Sequence, residues 1–75
     1  MKTPENLHIG KLILTELHKN GQTVVWLAKE LDYSRIKLHR ILNKSYIYSD
    51  ILCKISIIMK HDFFLDISNY LSDSK

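Results

Sequence analysis

Apolar side chains recur every three or four residues along nearly the whole chain, and only Pro4, Gly10 and Gly21 bring in backbone-altering residues. A 3.6-residue period gathers such positions into one stripe of a helix, whereas strands need strict alternation. The expected fold class is therefore all-α. From Leu7 to Asn20, the residues Ile9, Leu12, Ile13 and Leu17 keep the rhythm, and Asn20-Gly21 supplies a C-terminal stop. Gly10 costs this helix up to about 1 kcal/mol relative to alanine, so a frayed first turn is expected. Thr23 can cap a short second helix with Leu27, Ala28 and Leu31 inward, before the pattern breaks at Asp32-Tyr33. Ser34 can cap a third helix, ending near Asn43, with Leu38 and Ile41 inward. After a loop from Lys44 to Tyr48, Ser49 can cap a fourth helix carrying Leu52, Ile55, Ile58 and Met59, closed by Lys60-His61. Asp62 can cap a fifth, with Phe64, Ile67 and Leu71 on one face. Residues 1–6 read as a flexible arm and 72–75 as a frayed tail.

Seventy-five residues suffice for one small core, so residues 1–75 are expected to form a single domain whose function lies on its surface. The one cysteine, Cys53, has no partner thiol and no suitably spaced histidine, which argues against a disulfide or zinc site and suits a reducing cytoplasm. On a helix rich in leucine and isoleucine, it is expected to be a small buried hydrophobe. No apolar run approaches the roughly 20 residues of a membrane span, and the N-terminus lacks the apolar region of a secretory signal. His8, His18 and His61 lack the i, i+4 pairing of a helical metal site. With no catalytic constellation and no cofactor motif, an enzyme is not expected.

About three residues separate the second and third helices, which is the spacing of a helix-turn-helix. The stretch Gln22-Thr-Val-Val-Trp-Leu-Ala-Lys-Glu-Leu-Asp-Tyr-Ser-Arg-Ile-Lys-Leu-His-Arg-Ile-Leu-Asn43 resembles that motif in the lambda-repressor-like (Cro/CI, XRE) family. Gly21, Thr23 and Leu27-Ala28 match the family's helix-one glycine, its helix-two cap and its mid-helix pair; Leu31 and Tyr33 match the apolar pair flanking the turn, and Leu38 and Ile41 the buried pair of helix three. His61-Asp-Phe-Phe-Leu is similar to the segment opening the family's fifth helix, so the likeness runs from Ile9 to Leu71. It implies a compact five-helix lambda-repressor-like domain. Asp32 stands where the family usually has a positive-φ glycine, and Val24 where many members have a phosphate-contacting glutamine.

Charge points to the same region. Between Tyr33 and Ser49 lie Arg35, Lys37, Arg40 and Lys44 with no acid, although the whole chain carries only +3. Clustered cations suit a polyanion, since they release counterions from a phosphate backbone, but they equally describe a solvated helix face. A helix starting at Ser34 projects Arg35, Ile36, His39 and Arg40 away from its Leu38-Ile41 side. By resemblance, Arg35, Ile36 and Arg40 occupy base-contacting positions, with His39 beside them. Arginine can grip guanine O6 and N7 bidentately, and Ile36 suits a thymine methyl. Thr23, Ser34, Lys37, Asn43, Lys44 and Tyr46 are the candidate phosphate contacts, with Asn43 matching an asparagine the family often uses so. Ser34 can cap and touch phosphate at once, while Tyr46 and Tyr48 can reach phosphate or fold back on the core. Trp26 is expected to pack on the first helix or the nearby loop.

The leading expectation is sequence-specific double-stranded DNA binding by a small transcriptional regulator without a small-molecule ligand. Phe63 and Tyr70, off the Phe64-Ile67-Leu71 face, can form a homodimer surface on the last helix or complete the core. A protein-interaction module recruiting a partner through Trp26, Phe63 and Tyr70 is the competing reading. The antitoxin of a toxin–antitoxin pair, or a phage-type repressor, is a third.

Overall fold

Residues 7–73 are described by a computed structural model; the arm expected at residues 1–6, and residues 74 and 75, lie outside them. Five helices follow one another: α1 (Ile9–Lys19), α2 (Val24–Leu31), α3 (Arg35–Leu42), α4 (Ser49–Met59) and α5 (Phe63–Asp73), with no strand among the described residues. Short polar side chains start most of them. The first N–H groups of a helix lack intrahelical acceptors, and a side chain just before it can supply one. Thr23 Oγ1 accepts from Trp26 N–H and Ser34 Oγ from Lys37 N–H, both at 3.1 Å. Asp62 Oδ1 accepts from Leu65 N–H at 3.0 Å, and His8 Nδ1 performs the same service for Lys11 N–H at 3.1 Å. Ser49, expected as a cap, is instead the first helical residue of α4, because the Tyr48 carbonyl takes the Leu52 N–H at 2.9 Å and starts the ladder one residue earlier.

Three helices end alike, on a left-handed residue followed by an N–H that reaches back five positions. Gln22 donates to Leu17 O past Gly21 (φ 69°), Tyr33 to Ala28 O past Asp32 (φ 59°), and His61 to Ser56 O past Lys60 (φ 53°). Glycine enters this conformation freely, whereas Asp32 and Lys60 hold it at a cost of about 1 kcal/mol or more.

The core gathers Ile13 and Leu17 of α1, Leu27 and Ala28 of α2, Leu38 and Leu42 of α3, Leu52, Ile55 and Met59 of α4, and Phe63 of α5. Trp26, Leu31, Tyr33 and Ile58 are partly buried against it. Several expectations are corrected. In α3 the fully inward partner of Leu38 is Leu42, with Ile41 only half-buried. Cys53 is exposed, since it lies one residue off the Leu52-Ile55-Met59 stripe. In α5 the register is shifted by one: Phe63 is fully buried, Ile67 and Tyr70 are half-buried, and Phe64 and Leu71 face outward. Phe63 is therefore core and not surface. Phe63 follows directly on the turn made by left-handed Lys60 and the Asp62 cap. Ser72 and Asp73, expected in a frayed tail, belong to α5.

Gly10 has a structural task that its helix propensity hides. It is buried where α1 meets the end of α3, and a Cβ placed on it would overlap the Leu42 carbonyl, lying 2.6 Å from its carbon and 3.0 Å from Leu42 Cα. One residue earlier, Ile9 N–H donates to the Ser45 carbonyl at 2.9 Å, so the first turn of α1 is tied down instead of frayed. His61 adds a clip at the other end: its Nε2 lies 2.7 Å from Asp66 of α5, and its Nδ1 3.5 Å from Glu16 of α1. Among the described residues no helix is long and apolar enough to cross a membrane.

Candidate nucleic-acid interface

Helix α3 is held at both ends and bare between them. Ser34 caps its N-terminus and Leu42 is pressed against Gly10 at the other end. Leu38 points fully inward, so residues one and two positions to either side must point out. Arg35, Ile36, His39 and Arg40 are all exposed, Ile36 by 69%. Ile36, His39, Arg40 and Asn43 together line one shallow depression along the helix. Three of the four residues expected to face bases thus share one surface, while Arg35 is exposed at the start of the helix outside that depression. Among the described residues, neither arginine has an acid within ion-pair distance.

The expected phosphate-facing residues divide into two groups. Thr23 and Ser34 are exposed at the starts of α2 and α3; each hydroxyl oxygen accepts a cap bond, leaving its proton free to donate outward. Donors at a helix N-terminus, aligned with its dipole, favour an anion there. Asn43 and Lys44 lie beyond the other end, both exposed. Lys37 does not extend freely: its ammonium rests 4.0 Å from the centre of the Tyr33 ring. That cation–π contact pre-positions the charge beside the turn between α2 and α3.

Tyr46 and Tyr48 are 60% and 72% exposed, so neither folds back on the core. The Tyr-Ile-Tyr alternation through this extended segment turns Ile47 inward and both rings outward. Lys44 reaches over Tyr46, its ammonium 5.8 Å from the ring centre. Behind them runs a groove of about 490 Å³ lined by Lys37, Arg40, Ile41, Asn43, Lys44, Tyr46, Ile47, Tyr48 and Ile51. No acid lines it. Sequence reasoning missed this groove, although the Tyr46-Ile47-Tyr48 alternation was a visible signal. It also missed the two backbone positions that hold the loop, Gly10 and Ser45, because neither announces a role by its side chain.

Trp26, Phe63 and Tyr70 do not form a joint exposed patch: Phe63 is buried and the other two are half-buried. Among the described residues no three histidine, cysteine or acidic side chains are grouped to hold a metal ion. No family model, curated protein or solved structure matches the chain.

Proposed function

We propose that this protein is a lambda-repressor-like helix-turn-helix domain that binds double-stranded DNA in a sequence-specific manner, with α2 and α3 as the motif and α3 in the major groove. One observation carries the reading: an eight-residue helix, capped at Ser34, presents Arg35, Ile36, His39 and Arg40 outward, with no described acid pairing with either arginine. Unpaired guanidinium groups on the exposed face of a packed helix suit guanine edges, and Ile36 beside them suits a thymine methyl. Thr23, Ser34, Lys37, Asn43, Lys44 and Tyr46 would hold phosphates on either side and set the register. Transcriptional regulation is the natural use of such a module.

Random-pool duplex selection with the wild type and Arg40→Ala in parallel tests this. The wild type should enrich a motif containing guanine, and Arg40→Ala should lose preference at one position. A pool that stays unenriched at moderate salt would refute specific recognition. The competing reading, partner recruitment through Trp26, Phe63 and Tyr70, loses its support because Phe63 is core. A homodimer through α5 belongs to the DNA-binding proposal. Its surface would be built from the exposed Phe64, Leu65 and Leu71 beside Tyr70 rather than from Phe63, and sedimentation equilibrium decides it.

A further inference from the structure

The groove behind the reading helix has a composition that phosphate contact alone does not account for. Its apolar lining combines the half-buried Ile41, Ile47 and Ile51 with the exposed Tyr46 and Tyr48. Arg40 and Lys44 line it with their exposed cationic side chains, Lys37 lines it while its ammonium rests on Tyr33, and no carboxylate lines it. A duplex backbone needs the cations but has nothing to bury on the apolar lining. A volume of about 490 Å³ is of the size that takes a small organic molecule. An apolar bed beside Arg40 and Lys44 complements a molecule with the opposite design: a hydrophobic body ending in a negative charge.

We propose that this groove binds an amphipathic organic anion, an aromatic or branched aliphatic body bearing a carboxylate or sulfonate, and that its occupation competes with DNA. The body lies on Ile47 and Ile51 between the Tyr46 and Tyr48 rings, and the anionic end meets Lys44 and Arg40. Competition follows from shared residues, because Arg40 lines both this groove and the depression on the reading face. This second half rests on the DNA-binding reading above; the binding itself does not. The ligand is a free small molecule and not a lipid headgroup, since the isoleucines it would lie on are half-buried within the groove.

Anilinonaphthalene sulfonate, an aromatic body with one sulfonate, is the probe. The full chain should bind one equivalent with a dissociation constant on the order of 10–100 μM, read by dye fluorescence. Uncharged N-phenylnaphthylamine should bind at least about tenfold more weakly. Lys44→Glu, on an exposed side chain, should weaken the dye about fivefold while circular dichroism stays unchanged. Ile51→Glu should abolish binding; if that variant unfolds, Lys44→Glu and amide chemical-shift mapping carry the decision. Dye-induced shifts should centre on residues 44–51. Equal binding of the neutral probe, shifts centred on α5, or capture by anionic vesicles but not by dye would each overturn the proposal. Duplex DNA should displace the dye. A duplex that binds without displacing it refutes competition alone, and a protein that binds dye but no duplex refutes the DNA reading while the groove stands.

Discussion

Gly10→Ala is the substitution on which the arrangement of α1 and α3 depends most directly. On helix propensity alone it should stabilise the protein by about 1 kcal/mol. The structure reverses the sign. The added Cβ would overlap the Leu42 carbonyl and sit 2.6 Å from its carbon, where carbon atoms settle at about 3.5–4.0 Å. The helices must separate by roughly 1 Å, and no rotamer change can avoid it because the obstacle is backbone. Overpacking of this kind costs about 1–3 kcal/mol, and a value near the top is expected for a backbone clash. The neighbouring Ile9–Ser45 hydrogen bond, worth about 1 kcal/mol, is strained by the same movement. After the propensity gain is subtracted, the net loss is about 2 kcal/mol. For a chain of this size that lowers Tm by about 8–16 °C. Thermal and urea unfolding followed by far-ultraviolet circular dichroism measures it, with exposed Lys11→Ala as the helix-propensity control. If Gly10→Ala melts above the wild type, the close approach of α1 to Leu42 is wrong.

Four other outcomes follow from particular residues. Asp32→Gly should raise stability by about 0.5–1 kcal/mol in urea titration, because the left-handed backbone at φ 59° is unstrained for glycine. Ser56→Ala should stabilise by about 1 kcal/mol, since the Ser56 hydroxyl is buried without a hydrogen-bond partner and alanine is the better helix former; a loss instead would mean that the hydroxyl is bonded. His61→Ala should cost about 1 kcal/mol by releasing α5 from its bond to Asp66 and its contact with Glu16, and Glu16→Gln should then have a smaller effect than in the wild type. Lys44→Ala should weaken all duplexes alike and lower the slope of log affinity against log salt by about 1, whereas Arg40→Ala should cost about 1–3 kcal/mol on the preferred sequence only.

What could be read from the sequence was chemistry that acts locally. Thr23, Ser34 and Asp62 cap because a side-chain oxygen needs only an N–H three residues on, and Asn20-Gly21 stops α1 within its own turn. The exposure of Ile36, His39 and Arg40 followed from one inward residue, Leu38, and the helical period, whereas Arg35, three positions before Leu38, is exposed because it opens the helix. Choices made by distant partners were illegible. Phe63 and Phe64 are both aromatic, and stripes starting at either one pass through Ile67, so periodicity alone could not decide which ring enters the core. Gly10 read as a defect in α1 because its reason lies 32 positions further on, at Leu42. Cys53 fits a buried site by size, yet the stripe of Leu52, Ile55 and Met59 leaves it outside.

The contacts of α1 give the proposed interface its stiffness although α1 contributes none of its side chains. A loop of exposed residues normally moves, and a mobile cation loses most of its directional value once ordering entropy is counted. Here the loop after α3 is fastened at two successive points, Leu42 packed on Gly10 and Ser45 bonded to Ile9, just before Tyr46 and Tyr48 turn outward. Helix α3 and the loop after it are therefore held from Ser34 to Ser45, and Lys44 lies inside that clamp. Loosening α1 should then act on DNA through the loop. In Gly10→Ala at a temperature where it remains folded, the contribution of Lys44 to the salt slope should shrink, while the base preference proposed for Arg35 and Arg40, within the first two turns of α3, should persist. A variant that lost sequence preference first would place the mechanical weak point in α3 itself and not in the loop.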